Sequence, residues 1–350
     1  MSIRNTPKSS IFAELYTDDV FVDRIHSDPE KGVDVIIPIM HTNELWLKNL
    51  HAIYREIPVN RLIISDDGCV DDSIDIARKF PRLTILNHRE YKSLGFSLRK
   101  LIENVQTEWF VYLHSDVYLA PGWFDNMCAG RSDYDWFESA QRTTVLVEVP
   151  LNYGEQFRPA SGSQMGRRAS FESVLPRIDD DFLYRNEDIV LARLISDAGY
   201  RYGRVNTTFC HHQLMDKKSL WTRKVDSISV SISRSPQEEA REYETQLYGL
   251  LKYLKPDPDD FNRFQIPYLI SKMIELDKLN YADFEGWVKT VNPGWWILIS
   301  QDRNKRRLLR IEELILSPIN KMIGALKWLI RKCLLYAVKI IRSIKNANLI

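Results

Sequence analysis

The chain has 350 residues, 44% hydrophobic and 27% charged, with 14 Gly and 15 Pro; at roughly 150 residues per domain the length allows about two domains, and the composition excludes collagen-like, low-complexity and wholly disordered chains. Lys plus Arg total 48 and Asp plus Glu 47, a net charge of +1, so there is no general basic surplus to track a nucleic-acid backbone and no nucleic-acid partner is expected. Cys69, Cys128, Cys210 and Cys333 form no C-x-x-C pair, which argues against a zinc knuckle or a disulfide framework.

Residues 1–30 read as an N-terminal extension without the apolar core of a signal peptide. No later stretch approaches the roughly 18 uncharged apolar residues of a spanning helix, so a cytosolic chain is expected. Short apolar runs then follow at 33–39 (VDVIIPI), 61–65 (RLIIS), 83–86 (LTIL) and 109–113 (WFVYL), and each reads as a buried strand. Between the first three lie helical patterns, with Leu47, Leu50, Ile53 and Tyr54 on one face and Ile74, Ile76 and Ala77 on the next, which stops at Phe80-Pro81. Strand alternating with helix predicts a parallel α/β sheet, in which ligands gather at the carboxyl ends of the strands.

Those ends are acidic. The second strand leads into Asp66-Asp67-Gly68-Cys69 and then Asp71-Asp72, and the fourth into His114-Ser115-Asp116. Two such clusters at one sheet edge repel each other unless a cation or hydrogen-bond donors lie between them. Asp71 or Asp72 precedes an apolar-periodic run and reads as a helix N-cap, a role that leaves Asp66 and Asp67 unexplained. Further on, Asn186 is expected to cap a helix whose first turn holds Glu187 and Asp188 and which ends at Gly199. A final strand closes on Cys210-His211-His212.

In this order the motifs resemble the family 2 inverting glycosyltransferases, which have the nucleotide-sugar-binding GT-A fold. Val35-Ile36-Ile37-Pro38 resembles the family's first strand, Asp66-Asp67-Gly68-Cys69 its Asp-Asp-Gly-Ser-like turn, and His114-Ser115-Asp116 its Asp-x-Asp element. Pro121-Gly122-Trp123, the acceptor-side segment from Ser161 to Val174, Glu187-Asp188 and a closing histidine follow in turn.

The resemblance implies a divalent cation, Mn2+ or Mg2+, held by Asp116 with His212 or His211, to stabilise the departing diphosphate. It implies that Asp66 or Asp67 accepts a hydrogen bond from the nucleobase or ribose of a nucleotide-sugar donor, near Pro38 and Ser115. Asp188 then matches the base that deprotonates the acceptor hydroxyl, with Glu187 orienting acceptor or loop. Arg167 and Arg168 are candidate phosphate clamps. His114 stands where the family has its first carboxylate, which weakens two-carboxylate coordination and keeps a second reading open: a catalytically silent relative acting as a scaffold or binding subunit of a glycan-assembly complex.

The GT-A domain is thus expected over 31–213, and a helical appendage over 214–313. The appendage tryptophans Trp221, Trp287, Trp295 and Trp296 read as core residues or as platforms for sugar faces. Residues 314–350 carry seven Lys or Arg and no acid, which reads as a basic amphipathic helix lying on an anionic membrane surface or packed on protein. The expected protein is a transferase peripheral to the cytosolic membrane face, acting on a saccharide or lipid-linked acceptor in surface glycan synthesis.

Overall fold

The computed structural model describes residues 20–304 apart from 41, 43–44, 70, 89–92, 144–161, 179–182, 184–185 and 213–235. The basic tail, Trp221, Ser161 and residues 1–19 of the extension lie outside the described residues. The four predicted strands form as β1 (Val33–Ile39), β2 (Val59–Asp66), β3 (Leu83–Asn87) and β4 (Trp109–Leu113). β1 is buried at all seven positions because sheet neighbours flank it on both edges and helices cover its faces. α1 (Trp46–Glu56), α2 (Ser73–Ala77) and α3 (Leu94–Glu103) connect these strands. Ser93 caps α3, its side chain accepting from Phe96 N. At α2 Asp72 holds the N-cap position without a side-chain cap bond, and Asp71 instead accepts from Ser73 N at 3.1 Å.

The sheet then departs from the parallel expectation. After β5 (Val117–Leu119), α4 (Trp123–Ala129) and β6 (Trp136–Thr143), β7 (Ser163–Arg167) runs antiparallel to β4, and the eight strands take the order β3-β2-β1-β4-β7-β6-β8-β5. α5 (Arg168–Glu172), α6 (Glu187–Asp197) and β8 (Tyr202–His212) complete this part of the chain. The order runs outward from β1 through β2 to β3, then resumes with β4 on the other side of β1. Where it reverses, strands diverge at their carboxyl ends and leave a crevice. β1 pairs with β4 only as far as Ile36↔Tyr112, just short of Pro38, which has no N–H to offer a ladder.

The chain divides into two compact units, Met1–Leu254 with Leu269–Leu279, and Lys255–Tyr268 with Asn280–Ile350. Helix α7 (Pro236–Tyr253), on the appendage side of the expected boundary at 213/214, is in the sheet's unit. It packs closely: a Cβ at Gly249 would lie 2.4 Å from Leu183 Cδ2, just ahead of α6. In the second unit, α8 (Pro258–Arg263) is capped by Asp257, and α10 (Tyr281–Val291), which follows α9 (Ile266–Glu275), is capped by Asn280. Phe261, Phe284, Val288 and Trp295 are buried, which makes Trp295 a core residue.

At the amino end of β1 one carboxylate ties three segments together. Asp34 is fully buried and accepts from Asn60 Nδ2 at 3.0 Å, Arg61 Nε at 3.2 Å and Gln106 N at 2.7 Å. Burial alone would raise its pKa, but the bonds from Arg61, Gln106 and Asn60 outweigh it and hold the carboxyl below its usual value. A depressed folded-state pKa gives stability that is present above the unfolded value and lost as pH falls through the folded one. Asp34→Asn should therefore cost about 3 kcal/mol in urea unfolding at neutral pH, with the gap to wild type closing in acid. A gap that stays constant through the acid range would remove this ion pair as its source.

Candidate active site

Antiparallel pairing of β5 with β8 sets Val117 opposite His212, so the turn after β4 and the end of β8 meet. His212 Nε2 lies 3.1 Å from Asp116 Oδ2, and the His114 and His212 ring centroids are 6.0 Å apart. One ligand atom from each of His114, Asp116 and His212 falls within 4.8 Å of the others. His114, which sequence reading counts as a lost ligand, is therefore part of the cluster. Its two-residue spacing from Asp116 is the signal that could have indicated this. His211 is not in the cluster: neighbouring strand residues face opposite sides, and its buried ring packs 5.1 Å from Phe209 and 6.5 Å from Tyr118.

The residues present fit a divalent cation. Two imidazoles and a carboxylate are donors for a first-row transition ion. Gly162, at φ +59, packs against His114: a Cβ there would lie 2.8 Å from Nδ1 and 2.9 Å from Cγ, so glycine is what lets the backbone come this close to the ring. Gln141 Nε2 lies 2.9 Å from His212 Nδ1 while the buried Gln141 Oε1 has no hydrogen-bond partner. As placed, Gln141 Nε2 donates to His212 Nδ1 and leaves His212 Nε2–H to donate to Asp116. The amide turned over, with Oε1 accepting from Nδ1–H, is the arrangement a bound cation would need to meet an Nε2 lone pair. Burial works against the Asp116 carboxylate, yet the adjacent His212, the hydrogen bond from it and the nearby His114 hold its pKa down to about 2. Ser115, between these ligands, is anchored through its carbonyl, which accepts from the buried Asn49 Nδ2 at 2.9 Å. Asn49 lies on the apolar-periodic helix α1, where only burial reveals its role.

The first turn of α6 lies beside this cluster. Glu187 Oε1 accepts from Tyr112 OH at 3.2 Å, and the same hydroxyl is 3.1 Å from His114 Nε2. Asp188 Oδ1 accepts from Ile189 N at 2.7 Å, and Gln164 Nε2 lies 3.5 Å from Oδ2. Both acids are buried, at 3% and 9% exposure, in the field of the helix N-terminus that favours their charge. Asn186 does not cap this helix: it takes the left-handed conformation at φ 63, open to asparagine more than to most residues, and makes no side-chain cap bond.

At the carboxyl end of β2, Asp66 folds its own turn, with Oδ1 accepting from Gly68 N at 3.2 Å and Cys69 N at 2.9 Å. The Cys69 thiol is pushed up by burial and by Asp66, which agrees with its reading as a turn residue rather than a nucleophile. Asp67 points into a buried network that sequence reading does not foresee. Its Oδ1 accepts from Ser65 Oγ and, at 2.7 Å, from Ser97 Oγ, and Ser65 Oγ is 2.9 Å from His88 Nδ1. Burial raises the Asp67 carboxyl to about 7, with nearby Asp66 adding to the shift and the two serine bonds opposing it.

Arg167 and Arg168 are not brought to this site. Because β7 is antiparallel to β4, Ser163 pairs with Leu113 at the site's end and Arg167 with Trp109 at the other, ~13 Å along the strand. There Arg167 Nε lies 3.4 Å from Glu108, and Arg168 Nη1 donates to the Gln106 carbonyl at 2.7 Å.

Residues 34–190 match the family described as Glycosyl transferase family 2. That segment, less than half of the chain, runs from β1 into the first turn of α6. No curated protein matches the chain by sequence. Among solved structures, it is similar to residues 1–349 of TarS from S. aureus in complex with UDP-GlcNAc, at 12% identity over 73% of this chain and 78% of that one, with a TM-score of 0.46. It is also similar to the mannosyltransferase PcManGT from Pyrobaculum calidifontis with GDP-Man and Mn2+, at 14% identity over 78% and 79%, with a TM-score of 0.44. The glucosyl-3-phosphoglycerate synthase of Mycobacterium tuberculosis, solved with Mn2+, UDP and phosphoglyceric acid, is 19% identical over 59% and 80%, with a TM-score of 0.43. Likeness at this level assigns neither donor nor acceptor to the present chain.

The Asp67 shift sets a pH dependence of the opposite sign to that of Asp34. With its folded pKa near 7 against 3.8 for the ordinary group, the folded chain keeps a proton that the unfolded chain has shed, so this residue lowers stability as pH rises between those values. Asp67→Asn should gain stability relative to wild type across that window, by on the order of a few kcal/mol. Chemical denaturation at the two ends of the window reads this directly, and parallel curves for the two proteins would refute it.

Proposed function

We propose that the chain is an inverting glycosyltransferase that moves a hexose from a nucleotide-sugar donor to a saccharide or lipid-linked acceptor during surface glycan synthesis. The observation that carries this reading is the convergence of His114, Asp116 and His212 at the end of β4, with the Glu187–Tyr112–His114 contacts linking them to the helix turn that holds Asp188. A nucleotide-sugar needs both features: a place for its diphosphate and a base on the acceptor side.

Inversion is a single displacement. The Asp188 carboxylate takes the proton of the acceptor hydroxyl as that oxygen bonds to the anomeric carbon and the bond to the diphosphate breaks. Its place in the first turn of α6 favours the ionised form. The neighbouring Glu187 fixes the turn through Tyr112. His114, Asp116 and His212 would hold the divalent cation, Mn2+ or Mg2+, which when bound supplies positive charge to the departing nucleoside diphosphate. The Asp66–Asp67 turn and Pro38 border the crevice between β1 and β4 where the nucleoside would bind. Asp66 and Asp67 are buried to 4% and 3% exposure, so they act by shaping the turn and by offering an oxygen at its lip. Support for activity over a silent scaffold comes from His114, which stands with the ligand set instead of breaking it.

The basic tail, residues 314–350, would bind an anionic membrane surface and bring the enzyme to lipid-linked acceptors. Among the described residues no helix is long and apolar enough to cross a membrane.

Two experiments test these halves separately. Asp188→Asn should abolish sugar transfer while calorimetric titration shows nucleotide-sugar binding retained, and transfer at the wild-type rate would remove Asp188 as the base. Truncation at about Pro318 should release the protein from anionic liposomes in a sedimentation assay. Unchanged co-sedimentation would end the membrane reading.

A further inference from the structure

Val20, Phe21 and Val22, where the described structure begins, are between 42% and 74% exposed, and Leu47 on α1 is 41% exposed. His51 stands one turn after Leu47 on the same side of that helix. The Phe21 ring packs 5.9 Å from His51, 5.5 Å from Tyr54 and 5.6 Å from Phe80, so these side chains form one apolar patch rather than a scatter of single residues. The stretch is fastened in place: Asp23 accepts from Arg82 Nη2 at 2.8 Å, and Arg24 Nη1 donates to the Glu56 carbonyl at 2.8 Å. Both bonds fix the point at which residues 1–19 join the body. Those residues include Ser9-Ser10-Ile11-Phe12-Ala13-Glu14-Leu15-Tyr16, then Thr17-Asp18-Asp19. Ile11, Phe12, Leu15 and Tyr16 have the spacing of one apolar helix face, with serines at the capping end. Two turns of helix are marginal alone in water and need that face covered.

We propose that residues 9–16 cover the Phe21 patch of their own chain as an N-terminal strap, setting Ile11, Phe12, Leu15 and Tyr16 against Phe21, Leu47 and His51. Tether length selects this occupant over any other. Leu15 is five residues from Val20, a reach of at most ~18 Å, and so short a tether gives an effective concentration in the millimolar range. A second copy, or another protein, present at micromolar concentration competes at a disadvantage on the order of 1,000-fold. The inner side of α1 carries Asn49, whose Nδ2 donates to the Ser115 carbonyl at 2.9 Å. A strap over Leu47 and His51 therefore braces from outside the helix that anchors Ser115 from inside. The proposal is independent of the transfer reaction.

The test is a double-mutant cycle in the full-length chain. Phe12→Ser with Leu15→Ser removes the apolar face of the strap, and Leu47→Ser, at an exposed position, removes part of the patch. Each change alone should lower the thermal midpoint by about 2–6 °C. Combined, they should cost little more than the strap variant alone, because both remove the same contact. In the strap variant, hydrogen exchange should also show the amides of α1 losing protection. Additive shifts, or a strap variant that melts and exchanges like wild type, would overturn the proposal. Size-exclusion chromatography with light scattering asks whether a second copy is the occupant. A dimer that Leu47→Ser dissociates would overturn the strap in favour of contact between chains. Co-sedimentation with phosphatidylcholine vesicles that is lost in the strap variant would overturn it in favour of a lipid surface.

Discussion

Five carboxylates, Asp66, Asp67, Asp116, Glu187 and Asp188, are gathered near the carboxyl edge of one buried sheet, and four of them are less than 10% exposed. Charge in such surroundings is tolerated only when each group finds a proton, a donor or an opposite charge. Each of the five is answered differently. Asp66 takes two backbone N–H groups of its own turn, Asp67 takes serine hydroxyls and a raised pKa, and Asp116 takes an imidazole. Glu187 takes a phenol, and Asp188 takes a backbone N–H and lies near an amide at a helix N-terminus. Much of the local architecture, from Asn49 to Gln164, follows from holding those partners in place.

Sheet topology assembles these answers from distant parts of the chain. Parallel pairing of β1, β2 and β4 brings the first acidic turn and the His114 turn to one edge. Antiparallel pairing of β7 then delivers Gln164 beside Tyr112, and β8 returns to set His212 against β5. The opposite edge carries a different kind of charge. Asp34 with Arg61, and Arg167 and Arg168 with their acidic and carbonyl partners, form pairs that fasten strands and loops together. One edge of the sheet concentrates acids against hydroxyls, imidazoles and backbone amides, and the other neutralises charge with charge.

The elements readable from sequence are those whose signal is local. The apolar run 33–39 gives β1 because burial on both faces demands it, and the periodicity after Asn186 gives α6 because one helix face must be apolar. Glu187 and Asp188 stand out as paired acids at a helix start. What sequence could not supply is register. Arg167 and Arg168 look like phosphate ligands beside a glycine, and only the antiparallel sense of β7 moves them to the far end of the sheet. His211 and His212 are alike in composition, and only the phase of β8 separates them. Asn49, Tyr112 and Ser97 carry no motif at all, since the contacts with Ser115, Glu187 and Asp67 that tie them to the site span 66, 75 and 30 residues of chain.

The strand that sets His212 against Asp116 is only three residues long and forms the sheet's outer edge, paired at Val117↔His212, Tyr118↔His211 and Leu119↔Cys210. Opening this strand would separate the imidazole from the carboxylate and would expose Val117, Tyr118 and Leu119, all buried to 2% exposure or less. Any ligand that bridges those two side chains therefore also closes the strand onto the sheet. Affinity at this site and order at this edge become a single equilibrium, in which part of the binding free energy is spent as local folding.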